Sequence, residues 1–404
     1  MSYGSVLLRL GLLVATTGCG EGAEGNGAAP ASVRDSAGVR IVVSADAAWG
    51  TEPAWSLDPE PLVSVGTVDG EGPASFGEVA DVVRSPDGRL VVLDGRAQEV
   101  RVFGPAGGHQ TTFGRDGDGP GEFRRAAHLQ LLPGDTALVQ DPSNGRLSRF
   151  LLSGAFLGAR DLTAVTFRGE PAFLDEPHLR SDGSLLAHDR NHFQRGEDAL
   201  VQDTFYLFHV PPDEDEAQPI AVLPSVRTVS LEWEGRRLFT VQPFNQWPLW
   251  AASGDRTILA LAEEFRVQRF GPEGLELVAR RDLAPPELTE ERVATFREAR
   301  EGGIPEEEAP IVRRLWEATP LPDRVPAYQD LLLDPGGHMW VERYGQGTST
   351  AGPGWDVYDP EGRYLGAVPN LPNLKVHQVD EEVVTGVWTD EFDVPHVRVH
   401  RILR

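Results

Sequence analysis

The sequence predicts an all-β fold: a six-bladed β-propeller with four-stranded antiparallel blades and a small helical insertion between blades four and five. Three observations predict it. Short strand-like runs alternate with turn residues, and no β-α-β alternation appears. The runs recur as a unit: a shift of 47 residues carries Asp81 onto His128, Pro86 onto Pro133, Asp94 onto Asp141 and Phe103 onto Phe150. Finally, six inner hairpins can be counted, and the last unit holds only three strands before the chain ends.

Composition permits this and narrows the function. Of 404 residues, 40% are apolar, enough for a large closed core. The formal net charge of −25 repels phosphate backbones, so nucleic acid is excluded as a partner. The single cysteine, Cys19, rules out an intrachain disulfide.

In chain order, the first element is an apolar stretch from Val6 to Ala15, too short to cross a bilayer, which ends in Thr16-Thr17-Gly18 before Cys19. Such a core followed by small residues and cysteine resembles a bacterial lipoprotein signal. The resemblance implies a signal peptide over residues 1–18, cleavage before Cys19 and lipidation of its thiol, which would place the protein at the cell envelope, facing the periplasm or the cell exterior. It departs from the pattern in having Arg9 inside the apolar core and Thr16 where Leu is usual. Residues 19–32, rich in Gly, Ala and Glu, read as a flexible tether, and the propeller occupies 33–404.

Before the first unit lies an orphan strand, "PLVSVG" (Pro61 to Gly66). The economical assignment gives it to the last unit as its missing outer strand, which closes the ring and removes an exposed edge. Unit one reads "VADVVR", a Ser85-Pro86-Asp87-Gly88 turn, "RLVVLD" and "EVRVF", with a fourth strand ending at Phe113. Proline presets φ at the first turn position and glycine adopts positive φ without steric cost.

"FGRDGDGPGEF" (Phe113 to Phe123) then crosses from the outer strand of one unit to the inner strand of the next. It lacks the Gly-Lys-Ser/Thr of a phosphate loop and the ligand spacing of an EF-hand, so it reads as a connection anchored by two phenylalanines. Asp116, Asp118 and Glu122 are its candidate cation ligands.

Unit two is "HLQLLPGDTALVQD" followed by "RLSRFLLSGAFLGARDL"; unit three is reached by a shift of 95, which carries Asp81 onto Glu176 and Asp94 onto Asp189. Asp94, Asp141 and Asp189 each end a second strand, where a carboxylate accepts hydrogen bonds from the following turn. Unit four begins at Trp250, after the aromatic stretch "FTVQPFNQWPLW", and unit five at Tyr328. Between them, residues 286–321 carry "ELTEERVATFREAREGG" and "IPEEEAPIVRRLWEAT". Gly302-Gly303 and Pro305 punctuate a helical hairpin there. Unit six is "LKVHQVDEEVVTGVWTD" with "HVRVHRIL".

"SPDGRLVVLDGRAQEVRVFGPAGG" with "FGRDGDGPGEF" is similar to NHL-type repeats, and "VRDSAGVRIVVS" resembles the start of bacterial six-bladed propeller lipoproteins. The resemblance spans nearly the whole mature chain and is strongest in units one and two. It implies the fold, and leaves open ligand binding, lactonase and lyase activities.

The chemistry candidates share one register. Shifts of 47, 95 and 249 place Asp81, His128, Glu176 and Asp330 at one height on strands that would line a central channel. Three carboxylates and an imidazole there suit a divalent cation such as calcium, or a hydrated ring that ties blades together. The calcium-dependent lactonases that the resemblance brings in hold their channel metal with Glu, Asn and Asp; no Asn occupies this register. The zinc lyases use three histidines; of His128, His178 and His377 only His128 shares the register of Asp81. No Gly-x-Ser-x-Gly is present.

The sequence therefore supports a membrane-tethered extracytoplasmic propeller that acts as a ligand-binding or protein-interaction scaffold, its partner a small molecule, a glycan or a protein. The alternative is a metal-dependent hydrolase, lactonase or lyase acting at the channel mouth.

Overall fold

The structure is a computed structural model and describes residues 31–404 except 69, 190–199, 272–273, 302–303 and 346–352. The signal, Cys19 and most of the tether lie outside the described residues, as does the Gly302-Gly303 helix stop.

Among the described residues the strands form seven sheets. One is a two-stranded hairpin, Thr166–Phe167 with Glu170–Pro171; the other six succeed one another in a propeller-like ring. Their first strands are Val79–Arg84, His128–Leu132, Leu174–Leu179, Pro248–Ser253, Tyr328–Leu333 and Leu374–Val379. Within each sheet the next strands follow antiparallel, as short apolar runs joined by tight turns must.

First strands of neighbouring sheets touch at five of the six junctions, the sixth against the first included. The third and fourth sheets are joined by His178 Nε2–H donating to Gly254 O (2.8 Å) and Ser181 N–H donating to Asp255 Oδ1 (2.9 Å).

The core sits between sheets. Val91, Leu93, Phe113, Phe123, Leu129, Val139 and Phe150 fill the junction of the first and second sheets. Val65, Phe76, Val82, Leu90, Val397 and Val399 fill that of the sixth and first. Alternation of side chains along each strand sends one set to each neighbouring junction, so the sheets are apolar on both faces.

Because first strands converge on an axis with few backbone bonds between them, side-chain amides bridge the gap. Gln378 Oε1 accepts from Arg84 N–H (2.7 Å) while its Nε2 donates to Arg84 O (3.2 Å). Gln130 does the same with Leu179 (2.8 and 2.9 Å).

Three sheets exceed four strands; the sixth does so because two short strands of the leader, Ser56–Leu57 and Val63–Val65, pair with its strand Pro395–Leu403. The third has five, ending in the long pair Leu200–Val210 and Gln218–Trp233 and the edge strand Arg236–Val241. The fourth has six, because the leader adds Val39–Ser44, parallel to Gly274–Arg281, and then Ser32–Ser36 at the edge. Uniform four-stranded units are thus corrected at all three: "VRDSAGVRIVVS" is itself a hairpin, and it covers an edge of the fourth sheet that would otherwise stand open.

From there the chain is a strap across two more sheets. Ala48 and Trp49 N–H donate to Tyr364 O and Leu365 O of the fifth sheet (3.0 and 2.9 Å). Ser56–Leu57 and Val63–Val65 then pair with Pro395–Leu403 of the sixth.

The two helices, α1 (Glu290–Glu301) and α2 (Ala309–Ala318), sit between the fourth and fifth sheets in sequence. α1 opens on Glu290 and Glu291 and ends near Arg300, charges that suit the helix dipole. Neither helix has a fully buried residue. Phe296 of α1 meets Trp316 of α2 and Phe244, with ring centroids 5.8 and 4.8 Å apart, and α2 rests on the last two strands of the third sheet.

The Phe113–Phe123 loop is built by its rings and ion pairs. Phe113 stacks on Phe150 (4.9 Å), and Phe123, fully buried, lies 5.7 Å from the same ring. Gly114 has φ +85°, and a Cβ there would lie 2.4 Å from the Phe123 ring, so only glycine fits. Its acids are committed to arginines: Glu122 to Arg115 (2.5 Å), Asp118 to Arg124 (2.7 Å), and Asp116 to Arg124 (3.7 Å). The loop is a connection, and its carboxylates already have cations.

Candidate functional site

At the starting ends of the first strands, ionisable side chains gather around Asp81. Its Oδ1 accepts from the Val82 N–H (2.8 Å) and from His377 Nδ1 (3.2 Å); its Oδ2 accepts from the Leu129 N–H (2.9 Å). His128 Nδ1 lies 3.3 Å from Oδ2, an ion-pair contact rather than a straight hydrogen bond. One carboxylate from the first sheet thus clasps imidazoles of the second and sixth.

A carboxylate offers about four lone-pair positions, and all four here are engaged. Burial opposes charge on Asp81, but the two histidines outweigh it and hold the carboxyl well below its ordinary range. His128 is the reciprocal case. Burial alone would lower its pKa; the close contact with the Asp81 carboxylate more than reverses that and raises it.

With both Nδ1 atoms turned to Asp81, each ring presents its Nε2 elsewhere. Among the described residues neither Nε2 has a hydrogen-bond partner. The His377 side chain is 9% exposed and that of His128 29%.

Asp330, on the fifth sheet, accepts from the Leu331 N–H (2.8 Å) as Asp81 does from Val82. Burial raises its pKa, and the charges that reach it are Lys375, His377 and Glu176. Beside it, Glu342 is also raised by burial, and accepts from Gln329 Nε2 (2.9 Å) and Asn370 Nδ2 (3.4 Å).

Glu176 is placed differently from the other three. Asp81 pairs with Leu93, just before Asp94; His128 pairs with Gln140, just before Asp141; in the third sheet the partner of His188, just before Asp189, is Asp175. A bulge between Asp175 and His178 throws Glu176 out of the ladder at φ +50°. Its carboxylate, half exposed, lies 3.9 Å from His188 Nδ1. That same Nδ1 accepts from Trp250 Nε1 of the fourth sheet (3.1 Å), and the His188 ring stacks on Phe205 at 5.5 Å.

Of the four residues that share a register in the sequence, Asp81 and His128 touch, Asp330 stands within electrostatic reach of Glu176, and Glu176 belongs to the His188–Trp250 pair. Among the described residues no three His, Cys, Asp or Glu side chains converge to hold a metal ion. The lone pairs of Asp81 are spent on protein donors, and the bulge sets Glu176 apart from the other three.

His377 joins Asp81 from the sixth sheet. Another bulge, between Val376 and Gln378, turns it toward Asp81 although its sequence register is different. His178, in contrast, spends its Nε2–H on Gly254 O, and burial lowers its pKa to about 4. Lys375, Glu342, His188 and Trp250 are further members that sequence spacing did not single out. One compositional signal points to Lys375: it is the only lysine among 37 basic residues.

A cavity of about 1240 Å³ lies away from this group, between α1 and Leu321–Arg324. It is an open groove lined by Leu288, Val293 and Leu321, with acids and arginines on its rim. Asp81, His128, Asp330 and Glu342, whose pKa values their surroundings shift, all lie outside it. Perturbed groups gathered on one axis are the stronger mark of a functional site.

No protein-family model matches the chain, and no curated protein matches it. Solved structures do. A member of the DUF4221 family from Bacteroides vulgatus is 9% identical, covers 86% of this chain and 98% of its own, and superposes with a TM-score of 0.50. A Bacteroides fragilis protein, named as a candidate exported protein, is 11% identical over 90% of this chain and 100% of its own, with a TM-score of 0.49. A gluconolactonase from Xanthomonas campestris is 14% identical over 77% and 82%, with a TM-score of 0.38. At these identities the likeness concerns the fold alone.

Proposed function

We propose that the chain is a six-bladed β-propeller with NHL-like repeats, held at the cell envelope by a lipid on Cys19. It binds a small polar molecule at the end of the ring where Asp81, His128 and Asp330 stand. Convergence is the observation that carries this reading. All six sheets send a side chain to that end: Asp81, His128, Glu176, Trp250, Asp330 and, from the sixth, Lys375 with His377. Asp81 is satisfied internally, while the two imidazole Nε2 atoms and the Lys375 ammonium have no partner among the described residues. The imidazoles are partly buried, and a polar atom held away from water is costly unless something meets it; a polar ligand would.

The apolar segment before Cys19 and the low-complexity tether after it support an address outside the cytoplasm. The metal-dependent hydrolase has less support, because the Asp81 oxygens are already taken. Thermal-shift screening with a panel of neutral, cationic and anionic small polar molecules tests the reading. At least one class raises the melting temperature of the parent and fails to raise that of the Asp330→Asn/Glu342→Gln double variant. A panel with no stabilising member, or equal shifts in both proteins, refutes it.

A further inference from the structure

The only lysine of the chain stands in this site. Wherever else a basic side chain occurs, among 37 such residues, it is arginine. Lys375 is exposed, lies two residues before His377, and makes no ion pair among the described residues. Its charge nevertheless reaches both Asp330 and Glu342. An ammonium is compact and turns its three donors freely, whereas a guanidinium is a rigid planar fork suited to carboxylates and phosphates.

From this geometry, and resting on the binding reading above, we propose that the site takes a neutral polyhydroxylated ligand of the saccharide class, with Lys375 as a hydroxyl-binding donor. The side chains present interleave groups that only donate with groups that only accept. Lys375 donates. The Nε2 atoms of His128 and His377 donate when those rings are charged and accept when they are neutral. Glu176, Asp330 and Glu342 accept when ionised. A hydroxyl donates once and accepts twice, so a run of hydroxyls satisfies such an alternating wall.

Charge argues the same way. An anionic ligand faces Asp175, Glu176, Asp330 and Glu342; a cationic ligand faces Lys375 and a His128 that Asp81 biases toward imidazolium. A neutral polyol meets no like charge on either side. Trp250 is held by its bond to His188 and by packing against Phe205, Leu207 and Leu259, and Trp247, 49% exposed three residues before it, offers the kind of apolar face that sugar C–H groups cover.

Saturation-transfer NMR with neutral mono- and disaccharides tests the proposal, with a uronic acid and a hexosamine as charged controls. The parent protein binds at least one neutral sugar, and binds the matching uronate and hexosamine about tenfold more weakly. Lys375→Met weakens the neutral sugar about tenfold, as expected for one lost charged hydrogen bond, without moving the melting temperature by more than about 2 °C.

Because Lys375 is the only side-chain amine, acetylating the protein removes charge from that side chain and, where it is free, the N-terminus alone, and reproduces the loss, whereas acetylating Lys375→Met changes nothing; reductive methylation, which keeps the charge, does not reproduce it. Neutral sugars that fail to bind, or that bind Lys375→Met as they bind the parent, overturn the proposal. If small molecules of another class bind and depend on Asp330 and Glu342, only the ligand class is wrong. If nothing binds, the channel-binding reading itself fails.

Discussion

Deleting the leader strap in steps should separate what tethers the protein from what closes it. Ser32 is the first residue in a strand, so a chain that starts there keeps every described pairing. A chain that starts at Thr67 loses Ser32–Ser36, Val39–Ser44, Ser56–Leu57 and Val63–Val65 together. It also loses three side chains from the core: Val42, Leu57 and Val65, exposed by only 0, 5 and 3%. At ~1.5–3 kcal/mol for each fully buried aliphatic side chain, that is roughly 5–9 kcal/mol. The loss is comparable to the ~5–15 kcal/mol by which a domain is stable at all.

It also strips Pro395–Leu403 of its outer partners and leaves an open edge. At about 2 °C per kcal/mol for a chain of this size, the melting temperature should fall by roughly 10–20 °C in calorimetry, with aggregation on heating. The chain starting at Ser32 should melt within about 1 °C of one starting at Gly20. Equal melting temperatures for the chains starting at Ser32 and Thr67 would refute the reasoning, because the strap would then close nothing.

Asp81→Asn should flatten the pH dependence of stability. His128 has a folded pKa above its ordinary 6.5, so its contribution is present below that value and lost as pH rises through the folded one. Asp81 has a folded pKa below its ordinary 3.8, so its contribution is present above that value and lost on strong acidification. The parent should therefore melt highest between about pH 4 and 6.5 and lower at pH 8.5, and a variant that keeps this difference would contradict the pairing. Millimolar calcium or magnesium should leave the melting temperature unchanged, since the Asp81 oxygens are already engaged; a rise of several degrees that chelator reverses would restore the metal reading. Gly114→Ala places a methyl against the Phe123 ring at positive φ and should cost about 2–4 kcal/mol in denaturant unfolding; a loss under about 0.5 kcal/mol would show that the loop yields. Cys19→Ser should move the protein from the membrane to the soluble fraction, and unchanged fractionation would remove the lipid anchor.

The strand pattern was legible because each unit repeats its turn chemistry. Pro86-Asp87-Gly88 and the strand-ending Asp94 and Asp141 mark hairpins that need no partner to be recognised. Asp94 accepts from the N–H groups of Gly77, Arg96 and Ala97, and Asp141 from those of Arg124, Arg125, Ser143 and Asn144. The site was only half legible. Counting residues from Asp81 finds His128, because no bulge intervenes in the second sheet. It misplaces Glu176 and misses His377, because one extra residue in a strand changes the face of everything beyond it. Bulges leave no clear mark in the sequence, although Pro177 inside a strand is a hint. Lys375 could have been found by composition alone.

The account turns on one carboxylate that holds two imidazoles by their Nδ1 atoms and leaves their Nε2 atoms to a ligand. Nitrogen-15 NMR of the histidine side chains measures this directly. Once the pH is high enough for the spectrum to show both rings neutral, the account predicts that His128 and His377 carry their proton on Nδ1, and that Asp81→Asn shifts both resonances. An Nε2-protonated tautomer at either ring, or resonances indifferent to Asp81→Asn, would contradict it.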